Sequence, residues 1–370
     1  MGNFDQLKLA VEGMSGGKNT IILDDFDMPS YMVRIPQLKY SDVIAGGTQD
    51  ILDAFILGGN ALDAIYIGKY QSYVQNDRAY SLPFQDPTAS INFDTARSRC
   101  RAKGNGWHLQ TNALWAAIAL WCKKCATMPG GNNSYGQDYI NTHEKGVPSM
   151  ARDTSDRVQR TATGSGPNTW YHDYDSATGI ADMNGNVWEW CGGLRLNDGE
   201  INIIPYGYAM ADTMTGAQDI QSATSDMWRA ILPDGTFVAP GTAGTLKWDY
   251  TTATPAANST AFNLIAGPLV NQQVNDTPSG RANFGALTAA AGVNIPQTLL
   301  GLGLMPADPA ADYAQRGGAF YFRNNGERLP FRGGNWYYTS NAGVFALCLL
   351  YARSYSFASI GFRSAFYGNP

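Results

Sequence analysis

A chain of 370 residues is long enough to bury a sizeable core in one large domain or two ordinary ones. Only 15% of its residues are charged, and a net charge of −5 leaves no basic footprint for nucleic acid. An apolar fraction of 44% excludes a disordered chain, and no apolar run approaches the ~18 residues of a membrane-spanning helix.

Residues 1–50 are weakly patterned, with room for one short strand in DDFDMPSYMVRIPQL. They are read as an arm for attachment or for assembly into a homo-oligomer, and 51–370 as the main domain. The start has no basic stretch followed by an apolar run, so no secretory signal is expected. Gln6 stands where a myristoylation pattern needs Ser or Thr. AIYIGKYQSYV (64–74) alternates as a strand does. Residues 93–104 read as a helix with Phe93, Ala96 and Cys100 on one face and Gly104 at the left-handed position past its end. TNALWAAIALWCKKC (111–125) is the clearest helix. Thr111 caps it, Lys123 and Lys124 complement its dipole, and Leu114, Trp115, Ile118, Trp121, Cys122 and Cys125 form its apolar stripe. Residues 205–320 are rich in Ala, Thr, Gly and Pro and read as a long insertion of loops carrying short helices such as NIPQTLLGLGL.

The five cysteines, Cys100, Cys122, Cys125, Cys191 and Cys348, are odd in number and scattered, which is not a disulfide framework. Reduced buried thiols are expected, with Cys122 and Cys125 as core residues of one helix face. His108, His143 and His172 lack the spacing of a zinc site. Asp173 and Asp175 beside His172 offer oxygens for a structural calcium, with a solvated polar loop as the alternative. No other cofactor is implied, and the identity of any metal is left open. No Gly-x-Ser-x-Gly elbow occurs, and the string 163–166 has no amphipathic helix after it to cradle a phosphate.

Asn184-Gly185 signals a turn, and Asn186 to Trp190 then alternate as a strand. Trp188 and Trp190 share one face as core, with Glu189 on the other. Asn186 and Glu189 are placed to satisfy backbone groups or to hold a cation. The closing segment 333–367 mixes two kinds of residue. Gly333, Gly334, Trp336, 341–347, Ala352, Arg353 and 360–363 look chosen for folding, whereas the bulky residues between them follow neither a strand nor a helix period.

GWHLQTNALWAAIALWCKK, GNVWEW and the closing GG-W…IGFR, in that order, resemble the C-type lectin fold of the formylglycine-generating-enzyme type. The resemblance covers most of 55–200 and 328–367 and implies an α+β, loop-rich fold with short mixed sheets and two main helices. The best-known enzymes of that fold use a cysteine pair in the C-terminal segment, where this chain has only Cys348. The segment resembles instead the variable region of proteins diversified by diversity-generating retroelements, which copy template adenines erroneously, usually within Asn codons. This resemblance implies a fixed scaffold of Asn186, Trp188, Glu189, Trp190, Gly333, Gly334, Trp336, Gly361, Phe362 and Arg363. It implies variable, ligand-binding positions at Tyr337, Tyr338, Thr339, Ser340, Cys348, Leu350, Tyr351, Tyr355, Phe357 and Ser359. Randomising both adenines of an Asn codon never yields Lys, Glu, Gln, Met or Trp, and none of these stands at the ten positions. The function implied is recognition of a host cell-surface protein or glycan from a phage or prophage particle. A bacterial cell surface is the alternative location. No catalysis, nucleic acid or membrane insertion is expected. The alternatives are a formylglycine-generating-enzyme-like oxidase and a particle protein that no longer varies.

Overall fold

The computed structural model describes residues 3–211, 219–308 and 310–368. Among the described residues, sheets of five, seven and six strands, two further two-stranded pairs and helices of 12, 9 and 13 residues build an α+β architecture with a Trp-rich core. A helix over Asn3–Met14 opens the chain, in the stretch read as weakly patterned. The earlier of the two expected helices, Phe93–Arg101, starts at Asn92, whose side chain accepts from Thr95 N at 2.9 Å. The second, Asn112–Lys124, starts at Thr111, whose Oγ1 accepts from Leu114 N at 3.1 Å. It packs on the central strand Gly343–Leu349, and Trp115 Nε1 donates to Val344 O at 2.6 Å. Cys125 does not join its apolar stripe. The helix outruns the core at Lys124, and Cys125 is exposed while Cys122 is buried.

The segment read as an arm is built into the domain. Asn19–Leu23 and Pro29–Pro36 form a hairpin beside Ala64–Gly68, and the same sheet continues through Ser364–Phe366 to Trp107–Leu109. Val33, Ile35, Leu38 and Tyr40 are core residues, and the apolar area they remove from water ties residues 33–40 to the fold. The strand expected over 64–74 stops at Gly68; Tyr73–Gln75 pairs instead with Arg78–Tyr80. Asn76 and Asp77 close that hairpin with φ of 49° and 62°, as a two-residue turn of matching twist requires.

The stretch 205–320 is not an insertion of loops. Arg229–Ile231 extends the sheet of Leu194–Asn197 and Glu200–Ile203, and Leu246–Tyr250 pairs with Phe262–Ala266. Gly280–Asn283 and Ala319–Phe322 add to the sheet of the central strand. Trp248 packs against Phe320 at 4.7 Å between ring centroids, so this stretch carries core as well as surface. The expected short helix is present at Gln297–Gly301.

The third sheet runs Gly280–Asn283, Ala319–Phe322, Gly343–Leu349, Phe331–Gly333, Trp188–Trp190, Ile360–Phe362. It is mixed: Ala319–Phe322 is parallel to the central strand, and Ile360–Phe362 is parallel to Trp188–Trp190. Among the described residues no helix is long and apolar enough to cross a membrane, and no group of three acidic, His or Cys side chains is placed to hold a metal. Asp173 and Asp175 accept from Asp175 N, Thr178 Oγ1 and Ala177 N, so their oxygens serve a turn.

His108 is buried with its Nδ1 2.8 Å from Leu109 O and no partner for Nε2 among the described residues. Burial pushes its pKa down to about 4. The unfolded chain therefore binds the proton first as pH falls from 6.5 toward 4, and His108 makes the fold less stable across that window. His108→Gln is expected to show a shallower fall of Tm between pH 6.5 and 4 than the parent in scanning calorimetry. An unchanged slope would place the acid sensitivity elsewhere.

Candidate ligand-binding site

Local chemistry fixes the closing segment at several points. Gly333 and Gly334 take φ of 93° and 89°, and a Cβ on Gly334 would lie 2.4 Å from that of Ala342, so this turn admits only glycine there. Trp336 N donates to Asn186 O at 3.2 Å, and Trp336 O accepts from Tyr135 N at 2.6 Å. Asn186 is held in turn by Asn132, Thr161 and Gln71. Glu189 accepts from Gln71 at 3.0 Å, from Gln110 at 2.9 Å and from Arg363 at 2.7 Å. The Asn186 and Glu189 side chains thus tie separate segments together, and the strand alternation correctly separates Glu189 from the two tryptophans.

Arg353 anchors the loop that follows the central strand. Its Nε and Nη2 donate to Glu327 at 2.8 and 2.9 Å, and its Nη1 donates to Asp94 at 3.1 Å. Phe357 O accepts from Ser90 N at 3.1 Å and from Ile360 N at 2.9 Å. The stretch between these anchors has no ladder of its own, so its side chains are free of a strand's alternation.

Those anchors shape a concavity of about 190 Å³. Tyr337, Tyr338, Tyr351, Tyr355 and Phe357 line it together with Trp188, Phe331, Asn335, Ser359 and Ile360. Tyr351 and Tyr355 stack at 3.8 Å with 10° between planes, and Tyr351 lies 5.9 Å from Phe331. Tyr338 stands edge-on to Trp188 at 5.2 Å. Burial pushes the Tyr338 and Tyr351 phenols well above the usual range, so both stay neutral donors. The Arg323 guanidinium sits 5.6 Å from the Tyr351 ring.

The ten expected variable positions divide by exposure. Tyr337 and Phe357 are 37% and 50% exposed. Thr339 and Ser340 are exposed but do not line the concavity, and Leu350 is half-buried beside it. Tyr338, Tyr351 and Tyr355 are half-buried and double as cover for the core. Ser359 reaches only the floor at 2% exposure. Cys348 does not fit an outward-facing role. It sits in the central strand between Phe331 and Tyr321, 2% exposed, where the sheet is covered on both faces and alternation leaves no outer side.

Three contributors escaped the sequence reading. Phe331 and Ile360 form walls, and their apolar character is equally that of any core strand. Asn335 is 1% exposed; its Oδ1 accepts from Tyr337 N at 3.2 Å, and its Nδ2 has no partner among the described residues. The GGNW context marks a turn but not an unsatisfied amide.

The division between wall and rim has a measurable consequence. Tyr355→Ala and Phe357→Ala are expected to cost less than about 1 kcal/mol each, and Tyr338→Ala roughly 2–4 kcal/mol, because only Tyr338 is wedged against Trp188. Urea unfolding reads the three values, and equal costs would erase the distinction.

A mixed α+β, loop-rich chain with this Trp-rich framework has a C-type lectin-like fold. Residues 2–204, more than half of the chain, match the model of the sulfatase-modifying factor enzyme 1-like domain, and the protein belongs to that family. No curated protein matches it. Among solved structures, the P3c variant of the major tropism determinant is 12% identical, with a TM-score of 0.31 over 94% of this chain and 71% of that one. Treponema denticola variable protein 1 is 11% identical, with a TM-score of 0.34 over 94% of this chain and 98% of that one. PvdO from Pseudomonas aeruginosa is 13% identical, with a TM-score of 0.29 over 94% and 97%.

Proposed function

We propose that this is a hypervariable ligand-binding protein whose aromatic concavity recognises a host surface protein or glycan, displayed on a phage or prophage particle. The observation that carries the reading is the gathering of Tyr337, Tyr338, Tyr351, Tyr355 and Phe357 at one concavity. Tyr gives a large amphipathic contact at low entropy cost, and an exposed aromatic cluster marks an interaction surface. The framework around it is anchored by Arg353, Arg363 and the glycine turn, so side chains can change without moving the backbone. Catalysis is not part of this reading. The closing segment holds a single cysteine, and burial pushes the Cys348 thiol far above its ordinary range, which suppresses the thiolate.

The test is binding of purified protein to intact cells of candidate hosts by flow cytometry. Tyr355→Ala with Phe357→Ala is expected to abolish binding while Tm stays within a few degrees. Full binding by that double variant to the same cells would contradict the reading. Family membership favours a second reading, a formylglycine-generating-enzyme-like oxidase. Conversion of a cysteine-containing sulfatase peptide to the aldehyde in the presence of copper would establish it.

A further inference from the structure

A second cavity, of about 510 Å³, lies between the end of the Asn112–Lys124 helix, the strand Pro29–Pro36 and the loop carrying His172. It shares no residue with the tyrosine concavity and has the size of a small-molecule site, ~300–1,000 Å³. Val33, Ile35, Pro36 and Trp121 give it apolar walls. Its polar groups are aimed at one kind of ligand. His172 is 5% exposed, and its Nδ1 accepts from Ile180 N at 2.8 Å, so the neutral ring carries its proton on Nε2. Burial holds the His172 pKa down at about 4, which keeps the ring neutral. Among the described residues Nε2 has no hydrogen-bond partner, although the ring lines the cavity and stands edge-on to Trp121 at 5.7 Å. Lys18 and Arg34 also line it, both exposed and in no ion pair among the described residues. The carboxylate present, Asp173, already accepts from Thr178 Oγ1 and Asp175 N.

Two cations outside any ion pair among the described residues, a cavity-lining imidazole whose Nε2–H has no protein partner there, and an apolar wall describe one ligand chemistry. We propose that this cavity binds a small organic monoanion with a flat apolar body, an aryl carboxylate or sulfonate. Its body lies against Trp121, Val33 and Ile35, and its anionic oxygens face Lys18, Arg34 and the His172 Nε2–H. The site is independent of ligand recognition at the tyrosine concavity.

Cys125 gives the test a local reporter. It lines the cavity and is the exposed one of five cysteines, so N-ethylmaleimide should alkylate it selectively in the folded protein. The probe is 8-anilinonaphthalene-1-sulfonate. At ten times its Kd it is expected to slow Cys125 alkylation roughly tenfold, read by intact-mass spectrometry. Lys18→Glu with Arg34→Glu should weaken that protection at least roughly tenfold at unchanged Tm. If the double variant does not fold, Lys18→Ala alone should weaken it roughly threefold. The Tyr355→Ala, Phe357→Ala variant should keep full protection, and the uncharged N-phenyl-1-naphthylamine should give little. Fluorescence binding without protection of Cys125, equal protection by the uncharged probe, protection surviving the charge reversal, or protection lost in the tyrosine-site variant would each overturn the proposal.

Discussion

Arg363→Ala is expected to destabilise the protein by about 3–5 kcal/mol, enough to unfold many domains of ordinary stability. The side chain is wholly buried, and each of its five N–H donors is used. Nε donates to Glu189 at 2.9 Å, and Nη1 donates to Gly68 O and Lys69 O at 2.9 and 3.0 Å. Nη2 donates to Ala181 O at 2.9 Å and to Glu189 at 2.7 Å. The pair itself need not exceed a well-packed apolar substitute, because both ions lost their water. Removing one partner is a different matter. It leaves the Glu189 carboxylate, 0% exposed, without its counter-charge, and takes a donor from three backbone carbonyls, of which Lys69 O keeps Ala181 N at 2.9 Å. Arg363→Lys should recover little, since a point charge cannot reach all five acceptors. Urea unfolding decides it, and a cost below about 1 kcal/mol would mean the network is not what joins the two sheets.

Trp188→Ala is expected to cost about 3–5 kcal/mol and to remove binding together with stability. Trp188 is 2% exposed, edge-on to Phe331 at 5.1 Å and to Tyr338 at 5.2 Å. It is both core and the back wall of the concavity. Its loss would open a void beneath Tyr338 and let that ring fall inward. Tyr355→Ala should separate the two properties that Trp188→Ala loses together. A Trp188→Ala protein with near-parental stability would show that the turn-strand unit is not framework.

What the sequence revealed and what it hid follow from how local each signal is. The helix over 111–125 was legible because cap, stripe and charged last turn all lie within fifteen residues, and the observed Asn112–Lys124 follows them. The turn and strand at 184–190 were legible for the same reason. The placement of 19–36 was not, because its sheet partner is Ala64–Gly68 and the sheet is completed by Ser364–Phe366 at the far end of the chain. The strands within 205–320 are two to five residues long, too short for an alternation to stand out from background. Cys125 misled because helical spacing assigns a face but not where the core stops.

The candidate site was legible as irregularity. Tyr351, Tyr355 and Phe357 break the pattern of their neighbours, and they meet at the concavity. Cys348 broke the pattern equally and is buried, since position in a resemblance carries no information on which face of a covered strand a residue takes. Asn335 broke no pattern, and only the geometry exposes its unpartnered amide.

The measurement that bears most directly on the account is deep sequencing of the codons for 331–367 across the source population. Variation is expected at Tyr337, Tyr338, Thr339, Ser340, Leu350, Tyr351, Tyr355, Phe357 and Ser359, with Trp336, Phe345 and Gly361 to Arg363 fixed. Uniform codons throughout would contradict it and assign the aromatic concavity a single, unvarying partner or a structural role.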